Sequence, residues 1–365
     1  MQEVITKLRQ INRQLRHEPT GLYFASLGEH YRKYCWWRDI FYQVLPNLTH
    51  DPEMYIQTMQ TFINYLHKYE WKIDNLTCNP WEYNAKTCLH ARTYPDLTEV
   101  ETEWGNMQMD AYCLMLYGIT LGENAGLSII RGYDDRKIIQ KVIYMYQALH
   151  YWELAGNDAW EENVEVHAHA LGAAKAAMIG LRDLGFEVNG DNLWWCSCNL
   201  NNLLPKESHS KECDLALLQL IYPLNVVTKE QRDQILCNVE NRLLRRNGVI
   251  RYPGDVYYNV ANRETKDAYG GIFYPQIEGQ FHNHELQWSF GFAYLAIIYN
   301  DLGKTDRAKI YLDKLLAKAG DDSLISEGIY ANPIFDKEII KNDNTPLGWA
   351  NALAIIALEK VYENN

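Results

Sequence analysis

The chain has no run of about 18 apolar residues, the length a bilayer-spanning helix requires, so no membrane partner is expected. Its first residues, Met1-Gln2-Glu3-Val4-Ile5-Thr6-Lys7-Leu8-Arg9, are amphipathic and lack the apolar core of a secretory signal. That predicts a cytoplasmic protein whose eight cysteines are mostly reduced. Positive charge is scarce. The 35 Lys and Arg face 47 Asp and Glu, a net charge of -12, which argues against nucleic acid as a partner because nucleic-acid binding relies on basic surface. Cys196 and Cys198 are too isolated to make a zinc site, which needs four ligands, and no metal centre is expected. Period-two alternation is almost absent, which excludes a large sheet. No linker, low-complexity tract or internal repeat divides the chain, so residues 1–365 read as a single domain.

Apolar and aromatic residues are plentiful. Hydrophobic residues make up 47% of the chain, enough for a large core. Aromatics reach 13%, with 11 Trp and 26 Tyr, more than packing needs and suited to stacking on flat sugar faces. Helical periodicity predicts roughly eleven or twelve helices. They fall near residues 4–18, 41–45, 51–72, 111–121, 135–154, 164–177, 208–222, 228–245, 285–300, 305–318 and 347–361. Thr228 and Gln231 form a capping box, and Pro346 suits the first position of the last helix. The loops between carry the Trp, Arg, Asp and Glu, including a long one over 72–103. An all-α ring of paired helices, an (α/α)6 toroid with its functional loops at one end, is the architecture this pattern predicts.

The most informative stretch is Asp158-Ala159-Trp160-Glu161-Glu162, at the mouth of a helix built from small residues through Ala177. Small residues on nearly every face let another backbone approach closely, as in a helix packed inside others. An acidic, aromatic turn there suits a proton donor. Crowding by Asp158, Glu162 and Glu165 would disfavour ionisation of Glu161. The competing reading is a solvated acidic helix start favoured by the helix dipole. A second stretch, Tyr34-Cys35-Trp36-Trp37-Arg38-Asp39, sets an Arg-Asp pair beside two tryptophans at the head of an apolar helix. It reads either as a buried ion pair or as a clamp on sugar hydroxyls, with Asp39 accepting and Arg38 donating. His167 and His169 sit two apart on a helix, do not share a face, and read as packed or hydrogen-bonded rather than metal-ligating.

Five segments in order resemble glycoside hydrolase family 15, the glucoamylase and glucodextranase family. Trp36-Trp37-Arg38-Asp39 is similar to its Trp-x-Arg-Asp segment, which holds the non-reducing glucose. Trp104-Gly105-Asn106-Met107-Gln108-Met109-Asp110 resembles the segment whose Trp lines the sugar subsites and whose Asp starts an inner helix. Trp160-Glu161-Glu162 resembles the general-acid segment, and Arg251-Tyr252-Pro253-Gly254-Asp255-Val256-Tyr257-Tyr258 the segment whose Arg contacts sugar. Ser326-Glu327, followed by Pro346-Leu347-Gly348-Trp349-Ala350-Asn351-Ala352-Leu353, resembles the general-base loop and last inner helix. Thr87-Cys88-Leu89-His90 and Leu203-Leu204-Pro205-Lys206-Glu207-Ser208 are similar to the related amino-terminal domain of the phosphorylase kinase alpha and beta subunits. That branch departs from the Arg-Asp pattern that Arg38 and Asp39 keep.

The resemblance implies an inverting, exo-acting hydrolase that releases glucose from non-reducing ends of an α-glucan or other α-glucoside, without metal or organic cofactor. It implies Glu161 as general acid and Glu327 as general base, with Glu285 and Glu338 as rival bases. Arg38, Asp39 and Arg251 would hold the sugar, among Trp37, Trp104, Asp110, Trp160, Glu162 and Asp255. Inversion needs the two carboxyls about 6.5–9.5 Å apart, leaving room for water. The alternative is a catalytically silent glucan-binding or regulatory module.

Overall fold

The computed structural model of the chain describes residues 2–29, 31–102, 104–157, 159–259, 283–320, 322–330 and 339–362. Asp158 and Glu338 lie outside them. The chain forms two units. The first takes Met1–Arg16, Phe24–Lys33 and Pro205–Asn365, and the second His17–Tyr23 and Tyr34–Leu204. Helix α1 (Gln2–Gln14) opens the first unit. The second holds α2 (Trp37–Val44), α3 (Pro52–Lys68), α4 (Glu70–Cys78), α5 (Met109–Asn124), α6 (Tyr133–Ala148), α7 (Ala168–Asp183) and α8 (Gly190–Leu203). The first unit resumes with α9 (Lys229–Asn238), α10 (Phe290–Asp301), α11 (Thr305–Ala319) and α12 (Gly348–Tyr362). No described helix is long and apolar enough to cross a membrane.

In the second unit α5 is buried on nearly every side and packs against α7, the small-residue helix. The approach is close: a Cβ on Gly180 would stand 2.6 Å from Thr120 Oγ1. Two short strands, β1 (Cys35–Trp36) and β2 (Arg92–Thr93), pair antiparallel and set Trp36 opposite Arg92. Several boundaries differ from the sequence reading. The helix expected over 51–72 is two, broken at Tyr69, and α4 takes up the first residues of the expected loop. Helix α6 stops at Ala148, short of 154, because the backbone turns left-handed at His150 (φ 55°). Helix α8 was not expected. Its buried positions, Leu193, Cys196 and Leu200, keep helical spacing, but Asn, Ser and Cys around them mask the pattern.

In the first unit α10 and α12 are buried along nearly their whole lengths. Phe290 stacks on Trp349 with centroids 5.1 Å apart, and Asn351 Nδ2 donates to the Leu8 carbonyl at 2.8 Å, fastening α12 to α1. The Thr228–Gln231 capping box forms as the sequence predicts. The helix expected over 208–222 does not. The Glu207 and Ser208 N–H groups both donate to the Lys211 carbonyl, which closes a turn, and only Leu215–Leu220 winds, as a 3₁₀ segment capped by Asp214. Helix α10 starts at Phe290 rather than 285, because Gln287 and Trp288 bridge to Ile329 and Val249 as extended chain.

Candidate active site

In the second unit, the turn bearing Glu161 is stapled to the segment bearing Trp104. The Asn157 N–H donates to the Met107 carbonyl at 2.8 Å, and Asn157 Oδ1 accepts from the Met107 N–H at 3.2 Å. Asn157 also ties the turn itself, since Nδ2 donates to the Glu162 carbonyl at 2.8 Å. A Cβ on Gly156 would fall 2.4 Å from the Met107 carbonyl oxygen, so this approach requires glycine. Glu161 is held in the left-handed region (φ 64°), a conformation costing a non-glycine residue about 1–2 kcal/mol. The strained backbone aims the carboxyl at two donors: Trp104 Nε1–H donates to Oε2 at 2.8 Å, and Gln108 Nε2–H to Oε1 at 3.2 Å.

Gln108 also accepts from Arg38 Nη2 at 2.7 Å, linking the Glu161 carboxyl to the Arg38 guanidinium. The ionic partner of Arg38 is Asp110, a bidentate contact at 2.6 and 3.1 Å with both side chains buried. His169 Nε2 lies 3.5 Å from the same carboxylate. Burial alone would push the Asp110 carboxyl up, but Arg38 and His169 more than reverse this and hold it well below the usual carboxylate range. The adjacent Asp39 is half-buried. Arg38 is therefore in a buried ion pair, as the sequence suggests, and its partner there is Asp110 from far along the chain. Asp110→Ala leaves the buried guanidinium without its counter-ion, and an unfolding free energy lower by about 3–5 kcal/mol is expected in denaturant titration.

In the first unit, Glu327 is buried and accepts four hydrogen bonds. Tyr31 Oη donates to Oε1 at 3.1 Å, and Tyr257 Oη (2.9 Å), Asn342 Nδ2 (2.6 Å) and Asn344 Nδ2 (2.7 Å) donate to Oε2. Burial raises its pKa above the ordinary glutamate value, while the four donors oppose the rise. Burial and the Glu327 charge push the Tyr257 phenol well up, so its hydroxyl stays a donor. The Tyr257 ring stacks on Trp288 at 6.0 Å, and the Arg251 guanidinium lies 4.7 Å over it. Asp255, wholly buried, holds Arg251 through two contacts at 2.7 and 2.6 Å. The rival base Glu285 is also buried, and its Oε1 accepts the Gly254 N–H at 2.9 Å, which gives it a structural task.

Three expected sugar contacts, Trp37, Asp110 and Asp255, are placed in the interior instead. Trp37 is wholly buried against Phe62 and Tyr65, 5.2 and 4.8 Å away. Of the two consecutive tryptophans, Trp36 is the one set beside Arg92 and Tyr34. Asp110 and Asp255 stand behind Arg38 and Arg251 and fix their orientation. Trp160 and Glu162 are buried in the acidic turn, where the Glu162 N–H donates to the Asn157 carbonyl at 2.7 Å. His167 sits at the N-cap position of α7, with its Nε2 3.2 Å from the Asn163 carbonyl rather than on the helix N–H groups. The sequence reading missed Gln108, Tyr31, Tyr257, Asn342 and Asn344 as holders of the two carboxylates. Only Tyr257 and Gln108 carried a signal, since both sit inside the quoted motifs.

The family model for Glycosyl hydrolases family 15 matches residues 6–269. The chain belongs to this family. Among solved family-like structures, a glycosidase in complex with glucose superposes with a TM-score of 0.74 at 18% identity, covering 98% of this chain and 97% of that one. The glucoamylase from Saccharomycopsis fibuligera gives 0.67 at 14% identity, covering 98% and 93%. These likenesses establish the fold of this family 15 chain as the (α/α)6 toroid. Among curated proteins, it is similar to the phosphorylase b kinase regulatory subunit alpha, skeletal muscle isoform, of Rattus norvegicus. The identity is 26%, over 92% of this chain and 31% of that protein. The chain thus spans less than a third of the curated relatives it matches.

Proposed function

We propose that this family 15 chain is an inverting, exo-acting glycoside hydrolase that releases glucose from the non-reducing end of an α-glucan or other α-glucoside, with residues 1–365 acting as one catalytic domain. The observation that carries the reading is the setting of Glu161. It sits on a strained turn, with Trp104 holding one carboxyl oxygen and a glutamine relay joining the other to Arg38. Oε1, on the longer contact, is the oxygen that delivers a proton to the glycosidic oxygen as the bond from C1 to that oxygen breaks. Glu327 takes a proton from water, whose oxygen bonds to C1 from the opposite face. Its four donors hold the carboxylate in one orientation for that task. Arg38, Asp39 and Arg251 hold hydroxyls of the terminal glucose, and Trp36, Trp104 and Trp160 wall it. Neither step needs a metal or an organic cofactor.

The curated relatives favour a second reading. They are named regulatory subunits, and a domain that binds glucan without turning it over would use the same aromatic residues. Incubation with maltose, isomaltose, trehalose and longer α-glucans separates the two. Free glucose from any of them supports hydrolysis, and binding without release supports the silent module.

Asp39 tests the sugar clamp. Arg38 keeps Asp110 as a counter-ion when Asp39 is replaced by alanine. The variant is expected to lose most of its affinity for glucose in calorimetry while its melting temperature stays within a few degrees of the parent. Unchanged affinity would assign Asp39 a structural role.

A further inference from the structure

Arg92 belongs to none of the five motifs, yet it lies against the residue that holds the acid. Strand pairing sets it opposite Trp36, and the side chain is buried. Its guanidinium carbon stands 4.3 Å over the Trp104 ring, 5.2 Å over Tyr34 and 5.9 Å over Trp36, and Nη2 donates to Thr102 Oγ1. A buried cation among three aromatic faces is attracted to each of them by the ring quadrupole. The chain presenting it is anchored on both sides. Lys72 Nζ donates to the Cys88 carbonyl at 2.8 Å and to Glu99 Oε2 at 2.5 Å, and Glu99 Oε1 accepts from Tyr65 Oη at 2.8 Å and from the His90 N–H at 3.0 Å. Arg92 thus sits on backbone fixed by a buried network rather than on a free loop.

We infer that Arg92 is a positioning residue for the general acid, acting through Trp104. The guanidinium fixes the tilt of the indole, and the tilt sets the direction of the Nε1–H that donates to Glu161 Oε2 at 2.8 Å. A cation on the ring face also draws electron density from the indole, which makes that N–H a stronger donor. Losing Arg92 lets the indole turn and the acid swing away from the glycosidic oxygen. The inference rests on the hydrolytic reading of Glu161.

The test compares Arg92→Met, which keeps the stem and removes the charge, with Arg92→Lys and with Glu161→Gln, on maltose and on α-glucosyl fluoride. Displacing a catalytic group by about 1 Å costs on the order of 100-fold. Arg92→Met should accordingly lose about 10–100-fold in kcat on maltose with KM unchanged, and much less on the fluoride, whose leaving group needs little protonation. Arg92→Lys should recover part of the loss. Should Arg92→Met fail to fold in a thermal melt, Arg92→Lys carries the test through the same split at smaller size. Equal losses on both substrates, or a loss confined to KM, overturn the assignment. If Glu161→Gln shows the split and the Arg92 variants do not, the assignment fails while the hydrolytic reading stands. A parent protein inactive on both substrates overturns both.

Discussion

Glu161→Gln keeps the size and shape of the side chain but has no proton to give, and its rate on maltose is expected to fall about 10²–10⁴-fold. The same variant should lose far less on α-glucosyl fluoride, because fluoride departs with little help from an acid. A left-handed residue on a turn stapled to the 104–108 segment cannot swing freely. Its carboxyl therefore meets the substrate in one orientation, and the loss falls on chemistry rather than on binding. Steady-state kinetics on the two substrates checks this, and losses of equal size would remove Glu161 from the acid role.

Glu327→Gln should behave differently, losing about 10²–10⁴-fold on maltose and on the fluoride alike, since water must be activated whatever the leaving group. The amide cannot take a proton, and its NH₂ group would face either the Tyr31 donor now on Oε1 or the three donors now on Oε2. The pH profile of the parent follows from the same site. Glu327 works as a base only when ionised, and burial raises its pKa. Activity is therefore lost on the acidic side as Glu327 takes up a proton, at a pH above the ordinary glutamate value of about 4.3. The acidic limb of kcat/KM locates it, and a limb at or below the ordinary value would show that Glu327 is not the base.

Much of this was legible in the sequence because its signal is local. The acidic turn with Trp160 and Glu161, the small-residue helix after it, the capping box at Thr228 and the Arg251-to-Tyr258 segment each declare themselves within a few residues. What stayed hidden depends on partners far apart in the chain. Arg38 stands next to Asp39 in sequence but pairs with Asp110, 72 residues on. The donors to Glu327 come from residues 31, 257, 342 and 344, and spacing gives no hint that they meet. Of the adjacent Trp36 and Trp37, where strand turns into helix, Trp36 lies beside Arg92 and Tyr34 and Trp37 against Phe62 and Tyr65. The choice is made by the register against Arg92, which no local pattern encodes. The helix expected over 208–222 failed for a related reason. Its apolar spacing is genuine, but the Lys211 carbonyl accepts from the Glu207 and Ser208 N–H groups behind it, and the Leu215 N–H that a helix would send to it goes to the Arg251 carbonyl instead.

Family membership and fold leave the central claim, hydrolysis with inversion, to one direct measurement. Proton NMR of the sugar freshly released from an α-glucoside distinguishes the anomers before they equilibrate. β-Glucose appearing first is the predicted result. α-Glucose appearing first, or glucan binding with no glucose released at all, would contradict it.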